Sequence, residues 1–239
     1  KYNADFTVSV IPVKPSEADE FGVIKLNREN RIVSFKEKPK SKTDHKGFVF
    51  RSDMHGVKTL PGPYCLASMG VYLFNADVLK KVLETNDADF GKEVIPHSIK
   101  NYNGAGYIFD GYWKDVGTIK SFYDVNMDLA NGKPYMSFFY DGSVFTRPRF
   151  LPVARISKCR IEKSILSEGS VITGADISSS IIGLRSIVGK DCKISRAVLV
   201  GADYYEEPAS DEPIKMGIGD GTVIDKAIVD KNARIGKNV

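Results

Sequence analysis

The sequence predicts an α/β domain over residues 1–130, a connector over 131–154 and a parallel β-helix over 155–239. Strand and helix signals alternate before residue 130, the pattern of a sheet with covering helices. After Arg155 a β-branched residue or leucine returns about every five or six positions, a period too short for a helix pair but suited to one flat side of a β-helix coil. Between the two lies a stretch of Pro, Gly and aromatic residues.

In the first domain, Ala4 to Val13 alternates Phe6, Val8 and Val10 with polar neighbours and reads as a strand. Gly22 to Leu26 and Arg31 to Phe35 flank Asn27-Arg28-Glu29-Asn30, a hairpin turn. Residues 39–63 are polar, with Gly and Pro, and read as loop. Cys65 to Phe74 is an apolar strand, and Asn75 is placed to cap a helix running to about Glu84. Asp89 is placed to cap a second, reaching about Asn101, with Pro96 imposing a late start or a kink. Ala105 to Phe109 is a strand. Thr118 caps a helix on which Ile119, Phe122, Tyr123, Asn126 and Leu129 fall near helical spacing. The aromatics of the connector (Tyr135, Phe138, Phe139, Tyr140, Phe145, Phe150) predict that it packs on something.

In the β-helix the period runs through Ile156, Ile161, Leu166, Val171, Ile177, Ile182, Ile187, Ile194 and Leu199, and resumes at Ile218, Val223, Ile228 and Ile235. Each coil then adds an apolar residue to a buried column. The competing reading is an antiparallel sandwich of short strands. Residues 202–216 break the period and read as a loop ejected from the stack.

Composition narrows the function. With 239 residues, 42% hydrophobic and 27% charged, the chain can bury a core. No apolar run is long enough to span a bilayer, so no membrane partner is expected. A net charge of +4 is too modest for a nucleic-acid binder. Cys65, Cys159 and Cys192 are odd in number and far apart, which points to a reducing compartment. There is no G-x-G-x-x-G and no P-loop. The histidines are His45, His55 and His97, none in the repeat, which argues against an acyltransferase with a histidine base between coils.

Three clusters carry candidate chemistry. Glu37-Lys38-Pro39 follows a strand and opens the basic run Lys36 to Lys42, which is either a solvated loop or an anion site. An adjacent carboxylate and ammonium can grip a sugar hydroxyl and a phosphate. Gly111-Tyr112-Trp113-Lys114-Asp115-Val116-Gly117-Thr118 sets the only Trp and an Asp between a strand and a helix, where α/β sheets bind ligands. Asp115 either holds Mg²⁺ against phosphates or supports the helix that follows. Arg147 and Arg149 flank Pro148 and are either an anion-binding pair or exposed charge.

Several longer strings belong together: Phe21-Gly22, Glu37-Lys38-Pro39-Lys40, Ala67-Ser68-Met69-Gly70-Val71-Tyr72, Asp89-Phe90-Gly91-Lys92-Glu93-Val94-Ile95-Pro96, Tyr112 to Ile119, Pro148-Arg149-Phe150-Leu151-Pro152, Gly201 to Glu206 and Asp230 to Val239. In this order, over nearly the whole chain, they resemble the glucose-1-phosphate adenylyltransferase (ADP-glucose pyrophosphorylase) family.

The resemblance implies a partial, Rossmann-like α/β nucleotidyltransferase domain followed by a left-handed parallel β-helix. It implies the reaction of ATP with glucose 1-phosphate to give ADP-glucose and pyrophosphate, with Mg²⁺, in glycogen or starch synthesis. Carried over by position, Lys38 would hold the phosphate of glucose 1-phosphate. Gly22, Glu37 and Ser68 would contact the sugar, and Asp89 and Phe90 would line its pocket. Asp115 would be a metal aspartate with Trp113 beside it. Arg149, and with it Arg147, would match the site of a phosphorylated-sugar effector, although Asp220 stands where many members have an effector-binding lysine. The resemblance further implies a homo- or hetero-tetramer in the bacterial cytoplasm or the plastid stroma. The alternatives are a non-catalytic regulatory or assembly subunit of the same enzyme, against which Glu37, Lys38 and Asp115 stand intact, and another sugar nucleotidyltransferase.

The first residue is Lys1 and strand pattern begins by Asp5. The chain is therefore expected to be part of a longer polypeptide, with the family's glycine-rich nucleotide loop and its other metal aspartate upstream and a C-terminal tail beyond Val239. Adenylyl transfer by these 239 residues alone is not expected.

Overall fold

Alternation of buried and half-buried residues along Phe6–Val13 makes it the inner strand β1 of a mixed sheet. The structure, a computed structural model, describes residues 3–39, 46–51, 54–57, 62–85, 87–133, 145–207 and 211–239. Within it the chain divides into two units, Lys1–Trp113 and Lys114–Val239.

The first unit is built on β1 with β2 (Gly22–Leu26), β3 (Ile32–Glu37), β4 (Cys65–Phe74) and β5 (Gly104–Ile108), in the order β3-β2-β4-β1-β5. β1 runs parallel to β5 and antiparallel to β4, and β2 is antiparallel to both β3 and β4. Phe6, Val8, Val10, Ile24, Leu66 and Ile95 are fully buried at the centre of this unit, each removing roughly 1.5–3 kcal/mol worth of apolar surface from water. The predicted hairpin turn is present: Asn27 Oδ1 accepts from the backbone N–H of Glu29 (3.0 Å) and Arg31 (2.9 Å). That turn is tied to β5 by Gly106 N–H donating to Asn30 O at 2.8 Å.

Two helix starts differ from the sequence reading. Helix α1 (Ala76–Leu83) begins after Asn75, but the Asn75 side chain makes no capping bond; its backbone oxygen accepts from Leu79 N–H instead. Asp89 does cap, with Oδ1 accepting from Lys92 N–H at 2.8 Å. What it caps is a wide π turn, Phe90–Val94, which gives way to helix α2 (Ile95–Asn101). Pro96 sits at the opening of α2, where a missing N–H costs nothing, so the chain widens before the proline rather than kinking at it.

In the second unit Thr118 caps helix α3 (Ile119–Ala130), accepting from Ser121 N–H at 3.0 Å. α3 lies on the β-helix: Tyr123 Oη donates to Arg196 O at 2.7 Å and Ser179 Oγ to Asn131 Oδ1 at 3.1 Å. Of the connector, 134–144, and with it Tyr135, Phe138, Phe139 and Tyr140, lies outside the described residues, as does 40–45 with Lys40 and Lys42 of the basic run. The predicted packing of the connector fails at the two aromatics that can be seen. Phe145 is 97% exposed and Phe150 93%. Phe150, between Pro148 and Pro152, has left-handed backbone (φ +51°), and no described residue closes over either ring.

From Arg155 onward thirteen short strands, β6 (Arg155–Ser157) to β18 (Arg234–Ile235), pair in parallel as three sheets. All-parallel pairing excludes the antiparallel sandwich. Successive coils stack Ile156, Ile172, Val188, Ile218 and Ile235 in one column. Ile161, Ile177, Ile194 and Ile224 form the second, and Leu166, Ile182, Leu199 and Val229 the third. Four positions of the sequence reading are thereby corrected. Val171, Ile187 and Val223 are 38%, 38% and 58% exposed, and Ile172, Val188 and Ile224 take the inward places. In the third column the partner of Leu199 is Val229, not Ile228. Neighbours on a strand point to opposite faces, and each of these sites is an apolar doublet that a count of spacings cannot split.

Coil corners use left-handed backbone. Lys158, Lys163, Ser179, Arg185, Asp191, Arg196, Lys226 and Asn232 all have positive φ. The loop at 202–216 falls, as predicted, between β14 (Val198–Gly201) and β15 (Gly217–Ile218), with 208–210 outside the described residues. It is strapped back by Glu206, whose carboxylate accepts from Met216 N–H (2.8 Å) and Arg234 Nη1 (2.5 Å).

Candidate functional site

The residues expected to hold the substrate come from five separate stretches of the first unit. Register brings three of them into one row. Gly22 on β2 lies opposite Glu37 on β3. Val23 lies opposite Ala67 on β4, so the pairing carried one residue further sets Ser68 beside Gly22. Ser68 in turn faces Val10 on β1, where the register slips between Val8 and Val10.

The Glu37 carboxylate occupies the space above two glycines. A Cβ at Gly22 would stand 2.6 Å from Glu37 Oε2 and 2.7 Å from Phe35 Cζ. A Cβ at Gly91 would stand 3.0 Å from the same Oε2 and 3.5 Å from Asp89 Oδ1. Glu37 and Asp89 therefore both border the space above Gly91, although 52 positions separate them in the chain. Asp89 is held from both sides. Its side chain accepts from Lys92 N–H, while Glu93 Oε2 accepts from the N–H groups of Ala88 (2.7 Å) and Asp89 (3.2 Å). The bond from Lys92 N–H, with the Lys92 ammonium adding to it, holds the Asp89 carboxyl below the ordinary carboxylate range.

Phe90 stacks on Tyr72 (centroids 5.6 Å apart) and meets the edge of Phe74, yet stays 38% exposed, which leaves an aromatic surface for an apolar sugar face. Trp113 stands edge-on to Phe21 at 5.8 Å, beside Gly22 in sequence. Lys38 N–H donates to Phe21 O at 3.1 Å. Lys38 itself is exposed, has φ +41°, and its ammonium makes no ion pair among the described residues. Left-handed backbone at a lysine is strained and turns the chain sharply at the end of β3, while Pro39 is buried behind it.

In the second unit Asp115 is exposed, with Oδ2 3.1 Å from where a Cβ of Gly117 would be, and makes no hydrogen bond among the described residues. Its role as support for α3 falls to Thr118 instead. An exposed carboxylate suits a hard cation that takes its other oxygens from water and phosphates. No group of three or more metal-capable side chains occurs among the described residues. Arg147 and Arg149 are both exposed. Asp220 is engaged in coil packing: Oδ1 accepts from Lys190 N–H at 2.9 Å, and Lys237 Nζ lies 3.3 Å from Oδ2.

Phe21, Gly91 and Glu93 stand in the strings that carry the resemblance, but the sequence alone assigns them no role. Glu93 had a signal, since a carboxylate four residues after an Asp cap is placed to reach back to it.

Comparison with known proteins agrees with this layout. Residues 1–132 match the nucleotidyl transferase family. The chain belongs to that family. Residues 149–239 of this nucleotidyl transferase match the GLGC left-handed parallel beta-helix domain. A nucleotidyl transferase domain followed by that β-helix is the make-up of a GlgC-like sugar nucleotidyltransferase. No helix among the described residues is long and apolar enough to cross a membrane.

Proposed function

We infer that the protein is a glucose-1-phosphate adenylyltransferase, forming ADP-glucose and pyrophosphate from ATP and glucose 1-phosphate for glycogen or starch synthesis. One observation carries the reading. Glu37 is wedged over Gly22 and Gly91 beside Asp89, and the next residue in the chain is the exposed Lys38, whose ammonium makes no ion pair among the described residues. Two carboxylates accept sugar hydroxyls, and an ammonium at their edge takes the phosphate.

In the reaction, a phosphate oxygen of glucose 1-phosphate forms a bond to the α-phosphorus of ATP, and the bond from that phosphorus to the leaving pyrophosphate breaks. No covalent work falls to the protein; its task is to position the groups and offset charge. Lys38 holds the attacking phosphate, with Gly22, Glu37, Ser68, Asp89, Phe90 and Trp113 fixing the glucose. Asp115 is the carboxylate that would hold Mg²⁺, which when bound neutralises phosphate charge. Arg147 and Arg149 are assigned to a phosphorylated effector, and assembly as a tetramer is part of the same proposal.

The test is titration calorimetry of glucose 1-phosphate with the wild-type chain and Lys38→Ala. Lys38 is exposed, so its truncation leaves the core intact. Affinity should fall about tenfold or more, the scale of a lost charge-assisted phosphate contact. Unchanged affinity in Lys38→Ala would remove Lys38 from the site.

A further inference from the structure

Asp89 and Phe90, two residues of the proposed sugar site, open a turn that is wider than an α-helical one. Val94 N–H donates to Asp89 O at 3.1 Å, five positions back, and Glu93 N–H to the same oxygen at 3.0 Å. The far end of the turn is anchored in the core, where Val94 and Ile95 are buried. The near end lies at the surface: Ala88 and Phe90 are exposed and Asp89 is half-buried. Phe90 is held by its stack on Tyr72, and the Asp89 side chain by Lys92 N–H. The N–H groups of Ala88 and Asp89 precede the turn and have no partner within its own ladder.

One atom takes both. Glu93 Oε2 accepts from Ala88 N–H at 2.7 Å and from Asp89 N–H at 3.2 Å. At an α-helical start the carboxylate that reaches back stands three residues past the cap. Here that place is Lys92, and the wider turn passes the task to the fourth residue, Glu93. Glu93 is itself exposed, so it contributes these two bonds rather than packing. Gly91 lies within the same turn, and a Cβ there would stand 3.0 Å from Glu37 Oε2. A small shift of the turn therefore changes how Asp89 faces Glu37.

Resting on the sugar-site reading above, we propose that Glu93 is a positioning residue for glucose 1-phosphate. It pins the backbone at 88–89, so that Asp89 and Phe90 keep their setting against Glu37. Its effect falls on the sugar half of the ligand. The phosphate half, assigned to Lys38 at the end of β3, is left as it is.

The probes are glucose 1-phosphate and inorganic phosphate, each titrated calorimetrically into the whole chain. Glu93→Ala should weaken glucose 1-phosphate about tenfold, the scale of a lost hydrogen bond to a charged group, and leave inorganic phosphate unchanged. A mere loss of competent protein would lower both by the same factor. Glu93→Gln should stay within about threefold of wild type, because both bonds fall on one oxygen and an amide oxygen can accept them. The proposal is overturned if Glu93→Ala binds glucose 1-phosphate as wild type does, or if inorganic phosphate weakens equally. It is also overturned if Glu93→Gln is as weak as Glu93→Ala, since the carboxylate charge would then be what matters. Lys38→Ala separates this role from the reading beneath it. A tenfold loss in Lys38→Ala with no loss in Glu93→Ala overturns the positioning role alone. No loss in Lys38→Ala removes the phosphate assignment, and with it the split between the two probes.

Discussion

The carboxylate of Glu37 stands where the side chain of any residue other than glycine at position 22 would have to go. Oε2 is 2.6 Å from that Cβ position, and the ring of Phe35 closes the other side at 2.7 Å. The glycine is therefore part of the carboxylate's seat.

Gly22→Ala tests this. The added methyl must displace Glu37 or Phe35, an overpacking cost of about 1–3 kcal/mol. Affinity for glucose 1-phosphate should fall with the stability, because the displaced group is the one assigned to the sugar. Calorimetry and denaturant unfolding of the same sample separate the two losses. A variant that is destabilised but binds normally would detach Glu37 from the sugar site.

The column register of the β-helix makes a sharper prediction. Ile194 is 1% exposed between Ile177 and Ile224, whereas Val223, the residue preceding Ile224, is 58% exposed. Ile194→Ala should cost about 2–5 kcal/mol. Val223→Ala should cost less than about 1 kcal/mol. Equal losses in urea unfolding would mean that the inward face is misassigned.

Acid should loosen the β-helix through three aspartates. Lys231 and Asn232 hold Asp203 below its ordinary pKa, Lys190 N–H and the Lys237 ammonium hold Asp220, and Arg196 with Ser195 holds Asp225. A depressed folded pKa stabilises above the unfolded value of about 4 and is lost as pH falls through the folded value. Thermal midpoints should be flat from neutral pH to about pH 5 and fall below about pH 4. Asp225→Asn should make that decline shallower. A midpoint that rises on acidification through this range would contradict the assignment.

The sequence carried the β-helix through its period, because every coil repeats the same burial problem. It could not settle which member of Val171-Ile172 or Val223-Ile224 points inward, since both are equally apolar. Strand pairing settles that. The candidate site was legible as residue types, with Glu37-Lys38 and Asp89-Phe90 each recognisable alone. Their shared border above Gly91 was not, because it depends on a π turn that brings Gly91 under Glu37. The hairpin turn at Asn27–Asn30 was readable.

The excursion at 202–216 makes the solenoid indifferent to how much chain lies between Gly201 and Gly217. The columns close across it, with Ile194 on Ile224 and Leu199 on Val229, as though the coils were consecutive. Lengthening the segment would cost only loop entropy, about 0.6 kcal/mol for each doubling. One residue added between Ile177 and Ile182 would instead turn the side chains that follow it in that coil to the opposite face. New sequence can be spliced in at the excursion without disturbing the stack, whereas a single insertion within a coil breaks it.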